Sequence, residues 1–338
     1  MKVLVTGAAG FIGAALVNKL LENGFETVGI DNINSYYDIQ LKYARLAQVG
    51  IFQEYIDYGK PTISIKNPCY HFLKIDLTDR DGLNRLFTSE HFDIVVNLAA
   101  QAGVRYSIEN PYAYLDSNVY GFLNILENCR HHAIKHLIYA SSSSIYGNSA
   151  HTPNSENDRT DSPVSLYAAM KKSDELMAHA YTNLYNLPTT GLRFFTVYGP
   201  WGRPDMAPYK FLKAILNGET INVFNHGNLS RDFTYIDDII DGMMLILQHS
   251  CNPQSPYKIY NIGCSSPVKL MDFIATIEKI TGRKAIMNMQ EMQPGDVLST
   301  FADTRLLQKD FGYKPKVSIQ NGLTKFYDWF RSYQVSKQ

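Results

Sequence analysis

Tyr167 and Lys171 stand four residues apart in the string Tyr-Ala-Ala-Met-Lys. On a helix that spacing puts both side chains on one face. A free phenol titrates near pH ~10 and is a poor base at neutral pH. A neighbouring ammonium stabilises the phenolate, so the phenol can then take a proton from an alcohol. Tyr-x-x-x-Lys also occurs on ordinary solvated helices, so the pair gains its meaning from a second feature. That feature is the run Ser141-Ser142-Ser143-Ser144, directly after an apolar strand-like stretch. Four serines are costly as core and suited to lining a site. Ser142 is the one expected to orient a substrate hydroxyl toward Tyr167.

Gly7, Gly10 and Gly13 lie near the start of the chain, spaced Gly-x-x-Gly-x-x-Gly between a strand pattern and a helix pattern. Gly7 permits the tight turn, Gly10 lets backbone N–H groups approach a pyrophosphate, and Gly13 lets helix and strand pack closely. Phe11 and Ile12 open the helix whose N-terminus faces the phosphates. Asp31, followed by Asn32, ends the next strand and is placed to accept from adenosine ribose hydroxyls. A carboxylate there repels a 2′-phosphate, which favours NAD over NADP; the alternative for Asp31 is a strand-end cap. Asp76-Leu77 ends the third strand, where Asp76 either meets the adenine edge or caps a helix. Leu98, Ala99 and Ala100 end the fourth with small residues that suit a cofactor lying against backbone.

The elements that must hold these groups alternate. Strands are expected at Lys2–Thr6, Thr27–Ile30, Tyr70–Ile75, Asp93–Leu98, His136–Ala140 and Thr189–Phe194. Between them fall helices at Phe11–Asn23 and near 79–89, 112–131 and 165–185. This is an α/β pattern: a doubly wound parallel sheet of Rossmann type. The stretch 34–68 is long for a β–α connection and reads as an inserted helix, Ile39–Val49, plus a loop of no evident role. After Gly199 the rhythm breaks into short elements, with helices at Tyr235–Gln248, Phe273–Thr281 and Gln320–Tyr333 and a strand at Ile259–Ile262. The expected division is a dinucleotide domain, 1–195 plus 230–263, and a smaller interleaved C-terminal α/β lobe, 196–229 plus 264–338.

Bulk properties narrow the class. The 338 residues are 45% hydrophobic and 19% charged, ordinary for a globular protein with a full core. Lys plus Arg and Asp plus Glu are 32 each, so no net field draws nucleic acid or an anionic membrane. Cys69, Cys129, Cys251 and Cys264 are scattered, which argues against a metal site and suits a reducing compartment. With a strand starting at Lys2 and no run of ~20 apolar residues, cytoplasm is the expected location.

On the glycine triplet, Ser142, Tyr167 and Lys171, the chain resembles the extended short-chain dehydrogenase/reductase family over essentially its whole length. Four further strings are similar to nucleotide-sugar epimerases: Asn97–Arg105, Ser141–Gly147, Arg193–Pro200 and Arg231–Tyr235. Three more resemble UDP-glucuronate 4-epimerases: Asp31–Asp38 with Leu41–Leu46, Gly202–Ala207, and Met292–Val297. The resemblance implies tightly bound NAD and a UDP-sugar substrate. Arg231 and Arg203 match positions that contact the nucleotide diphosphate and ribose, Phe224 a uracil-packing position and Asp296 a ribose contact. Each also has a plain alternative: an ion pair for Arg231-Asp232, a core strand for Phe224, a turn for Asp296. The resemblance further implies a homodimer in which helices 112–131 and 165–185 pair into a four-helix bundle; alternatively, those faces are covered by the chain's own sheet.

The implied reaction is inversion at C4 of UDP-glucuronate through transient oxidation, giving UDP-galacturonate. Its 4-keto intermediate is a β-keto acid that loses carbon dioxide unless the carboxylate is held out of line with the ketone π system. Donors expected to hold it are Ser142, Ser143, Thr196 and Arg105. Related decarboxylases and dehydratases carry acids where this chain has Ser143 and Ser144, which disfavours both reactions. Epimerases of neutral UDP-hexoses or N-acetylhexosamines are the near alternative, and a non-catalytic NAD sensor or scaffold the distant one. Replacing Thr196 by valine is expected to leak UDP-4-keto-pentose, detected by NMR of the products; unchanged product purity removes Thr196 from this role.

Overall fold

A computed structural model describes residues 1–149, 151–249, 254–293 and 295–335; Cys251 and Pro294 lie outside them. The strands among the described residues are β1 Lys2–Thr6, β2 Glu26–Asp31, β3 Pro61–Ile63, β4 Tyr70–Lys74, β5 Ile94–Asn97, β6 His136–Ser142 and β7 Thr189–Phe194, followed by β8 Thr196–Tyr198, β9 Thr220–Phe224, β10 Ser230–Tyr235, β11 Tyr257–Ile262, β12 Pro267–Lys269 and β13 Ile286–Gln290. Eight of them form the main sheet in the order β11-β7-β6-β5-β1-β2-β4-β3. All neighbours in it are parallel except the edge pair β3 and β4. Strand order reverses between β1 and β5, which makes the crevice outside their carboxyl ends the natural ligand site.

Alternation along the strands feeds two packed layers. Val3 and Val5 join one core cluster while Leu4, between them, joins the other. The first cluster runs on through Phe211, Phe233 and Phe273 to Phe330, so the sheet and the C-terminal segments share one core. Those segments contribute a three-stranded sheet, β12-β10-β8, and a parallel pair, β13-β9.

Several expectations are corrected. The single helix expected over 112–131 is three pieces: Pro111–Tyr114, a wide π turn at Leu115–Tyr120, and Gly121–His131. The π turn aims Asn118 at the chain after β5, where it accepts from the Gln101 N–H at 2.8 Å and donates to the Gln101 carbonyl at 2.9 Å. Strand β6 continues past Ala140 into Ser142, because its ladder with β7 does not depend on side-chain polarity. The 34–68 stretch holds the expected helix, Ile39–Gln48, and also the edge strand β3, whose Pro61 is tolerated only at an edge. A helix at Ala207–Asn217 escaped the pattern reading because Pro208 looks like a breaker, yet at the first turn its missing N–H costs nothing.

Gly7 adopts φ +69°, and a Cβ there would stand 2.8 Å from the Ala99 nitrogen. Gly24 has φ +75° but nothing within 4 Å of its would-be Cβ. Gly24→Ala is therefore expected to cost only backbone strain, about 1 kcal/mol, and to keep any bound cofactor. Gly7→Ala adds a clash of roughly 1–3 kcal/mol and should empty the cofactor site. Denaturant midpoints and absorbance of the purified proteins for bound dinucleotide separate the two; equal losses would refute the close-approach argument.

Candidate active site

The carboxyl ends of β1, β2, β4, β5 and β6 border a cavity of about 340 Å³. Its floor is the turn after β1. Gly10 donates to the Gly7 carbonyl at 2.8 Å, and the helix Phe11–Glu22 begins there without a side-chain cap. The first-turn N–H groups are thus left for a ligand, and an anion is the natural one. Phe11, Ile12, Gly13, Leu77, Leu98, Ala99 and Ala100 line the same cavity.

Asp31 acts as the cap at the end of β2. Its carboxylate accepts from Ala9 N at 3.2 Å and Ile33 N at 2.7 Å, tying the glycine turn to the end of β2, and it also borders the cavity. Asn32 donates to Asp76 at 2.6 Å, and the Thr78 N–H and hydroxyl donate to the same carboxylate at 2.8 and 2.7 Å. Burial pushes the Asp76 pKa up, but these donors outweigh it and hold the group below its ordinary value. A glycine floor, an open helix N-terminus and a carboxylate at a strand end together fit a dinucleotide. The Gln101 side-chain amide, buried in the cavity lining, is available to it too.

Opposite stands the helix Leu166–Tyr185, capped by Ser165, whose hydroxyl accepts from Ala168 N at 3.1 Å. Its first turns present Tyr167 and Lys171 to the cavity. The Tyr167 ring meets Tyr114 edge-on at 6.0 Å. Lys171 is buried and donates to the Ala140 carbonyl at 2.8 Å and to Asp174 at 3.0 Å. Burial works to lower the Lys171 pKa; Asp174 and Tyr167 reverse this and leave it raised. All four serines border the cavity, and their hydroxyls differ in partner: Ser141 donates to buried Glu175 at 2.7 Å, and Ser142 accepts from Ser144 N at 3.1 Å. Thr196, the first residue of β8, lines it as well.

The residues expected on the nucleotide side form a separate group. Arg105 pairs with Asp296 at 2.9 Å, and its guanidinium lies 4.5 Å over the Phe224 ring. Arg231 joins them electrostatically: burial lowers its pKa, Asp296 opposes this and Arg105 adds to it. Arg105, a candidate donor to the sugar carboxylate or an anchor of its own loop, is engaged by Asp296 and Phe224 of the C-terminal segment. Arg203 stands instead in the wall of the dinucleotide cavity, bidentate on Asp205 at 3.0 and 2.5 Å. Arg231 and Asp232 are not an ion pair: alternation on β10 turns Asp232 inward, where it accepts from Cys264 N at 2.8 Å and Ala302 N at 3.1 Å.

Pattern reading missed the cationic face of the inserted helix. Arg45 is buried and donates to Trp201 O at 2.6 Å, Ala9 O at 3.0 Å and the Tyr37 hydroxyl at 2.7 Å. Lys42, one turn earlier, sits 3.7 Å from Asp31 and donates to Asn34 at 2.9 Å. Tyr36 donates to Asp205 at 3.1 Å, so the insert reaches across to the Arg203 loop. The available signal was two cations, three residues apart, on a helix whose apolar residues share their face.

Comparison with known proteins agrees with this geometry. Protein CapI of Staphylococcus aureus is 50% identical, with 98% of this chain and 99% of that protein covered. UDP-glucuronate 4-epimerase 4 of Arabidopsis thaliana is 43% identical over 98% of this chain and 75% of its own length. The crystal structure of UDP-glucuronic acid 4-epimerase from Bacillus cereus, in complex with UDP-glucuronic acid and NAD, superposes with a TM-score of 0.89 at 34% identity, covering 98% of this chain and all of that one (100%). Residues 3–263 match the model of the NAD dependent epimerase/dehydratase family, and the chain belongs to that family.

Proposed function

We propose that this protein is a UDP-glucuronate 4-epimerase, interconverting UDP-glucuronate and UDP-galacturonate with NAD held throughout. The observation that carries the reading is one cavity lined at once by the glycine turn, by Tyr167 and Lys171, and by the hydroxyls of Ser142, Ser143 and Thr196, with serine at both 143 and 144. The family and the named relatives support it.

Gly7, Gly10 and Gly13 with the first turn of the helix hold the pyrophosphate, Asp31 and Asn32 the adenosine ribose, and Asp76 and Leu77 the adenine. When bound, NAD supplies a reversible oxidant for C4. Tyr167 takes the C4 hydroxyl proton and gives it back to the C4 oxygen once the ketone has turned its other face. Lys171 stabilises the phenolate, and Ser142 aligns the hydroxyl. The serine and threonine hydroxyls hold the C5 carboxylate so that the ketone survives its rotation. Phe224, Arg231, Asp296 and Arg105 bind the nucleotide end of the substrate from the smaller lobe, 196–229 plus 264–338, and Arg203 completes the wall toward 1–195 plus 230–263. The chain works as a homodimer. Leu115, Leu176 and Leu184 expose 46%, 61% and 69% of their surface on the two helical segments proposed to pair, which is unusual for side chains meant for the chain's own core. The product is proposed to feed polysaccharide synthesis in the cytoplasm.

NMR of the purified protein with UDP-glucuronate and no added reductant is the direct test. UDP-galacturonate without pentose is the expected product, and Tyr167→Phe should lower turnover by about 10²-fold or more while retaining NAD. Conversion of only neutral UDP-hexoses would keep the mechanism and overturn the specificity. Light scattering should give the mass of two chains, and Leu176→Glu with Leu184→Glu should give one; a monomeric wild-type protein would overturn the dimer.

A further inference from the structure

Lys171 is fully enclosed, and two of its three N–H groups are committed: one to the Ala140 carbonyl at 2.8 Å, one to Asp174 at 3.0 Å. That leaves one N–H for the cavity the side chain lines. Asp174 is itself only 2% exposed, and its Oδ1 accepts no hydrogen bond from any described residue. The contrast with its neighbour is informative. Buried Glu175 takes two guanidinium N–H groups of Arg193, both at 2.9 Å, and the Ser141 hydroxyl at 2.7 Å. Glu175 is a saturated structural carboxylate. Asp174 is a half-satisfied one, and its single charged partner is the lysine beside the proposed base.

We infer that Asp174 is a positioning residue for the C4 chemistry: it is the internal counter-ion that keeps Lys171 an ammonium beside Tyr167. The inference rests on the assignment of Tyr167 as base, and it goes further in naming what tunes that base. The charged groups acting on Asp174 are Lys171 and Glu175 of its own helix; the Tyr139 phenol of β6 feels its charge, and behind Tyr139 stands Tyr257 of β11. Arg193 of β7 is spent on Glu175. Burial pushes the Asp174 pKa up to about 6 against the pull of Lys171, as expected of a carboxylate kept for its charge where it is poorly solvated.

Without the carboxylate, burial of Lys171 is opposed only by Tyr167 and Glu175, and the ammonium is lost at lower pH. Removing Asp174 therefore slides the alkaline limb of the rate profile toward acid, instead of scaling the rate.

The test is kcat and KM against pH for the NAD-loaded wild type, D174N, D174E and Y167F, with UDP-glucuronate. In D174N the alkaline limb should move to lower pH by about one unit, with KM little changed, and D174E should restore the wild-type position. Retained NAD and the thermal midpoint report folding, and D174S, neutral and smaller, repeats the measurement if D174N folds poorly. An alkaline limb that stays in place while the rate falls by one factor at every pH would overturn the role of Asp174 and leave Tyr167 as base. A Y167F protein that turns over at close to the wild-type rate would overturn the base assignment itself.

Discussion

The structure depends first on how closely the ends of β1 and β5 are stitched together. The Thr6 hydroxyl donates to Asn97 at 2.7 Å and accepts from Leu98 N at 3.1 Å and Ala99 N at 2.9 Å. One residue later the chain passes so near Ala99 that only glycine fits. At this point strand order reverses and the chains leaving the two strands diverge, opening the crevice. A buried hydroxyl with three good hydrogen bonds is rigid, because losing any of them leaves a polar group unsatisfied in the core. The floor of the cavity, the start of the first helix and the small-residue wall at 98–100 are all positioned from this one seam.

The remaining walls are hung on buried polar side chains, each bridging segments distant in sequence. Arg45 joins the inserted helix to the glycine turn and to the loop at Trp201, three segments that share no secondary-structure ladder. Asn118, aimed inward by the π turn, holds the backbone of Gln101. Planar multi-donor groups suit this task, since they fix direction as well as distance. Such bridges are costly to bury unless complete, and both of these are complete on their bridging atoms.

Charge within the fold follows a division of labour. Glu175 with Arg193 and Ser141 forms a closed network that locks β6, β7 and the helix bearing Tyr167 into one unit. On the side facing the cavity the networks are left open: Lys171 with a spare N–H, the first helix with uncapped N–H groups. Saturated groups hold the frame, and unsaturated ones point where a ligand would complete them.

How much of this was readable in the chain follows from the range of each interaction. Local and periodic signals determined the parallel sheet, the glycine turn, the helix carrying Tyr167 and Lys171, and the acids at strand ends, because those depend on residues within a few positions of one another. The π turn at 115–120 was not legible, since it is a helix bent by a contact with Gln101 rather than by its own composition. Nor was the purpose of the 34–68 insert: Arg45 and Lys42 look like surface cations until the fold brings Ala9, Asp31 and Trp201 beneath them. The differing partners of Ser141 and Ser142, the inward turn of Asp232 and the pairing of Arg105 with Asp296 were likewise decided by tertiary structure. The sequence by itself determined which chemical groups were present and which faces of their elements they occupy. Only the tertiary structure decided their partners, because a buried charge takes its role from the groups brought against it across the fold.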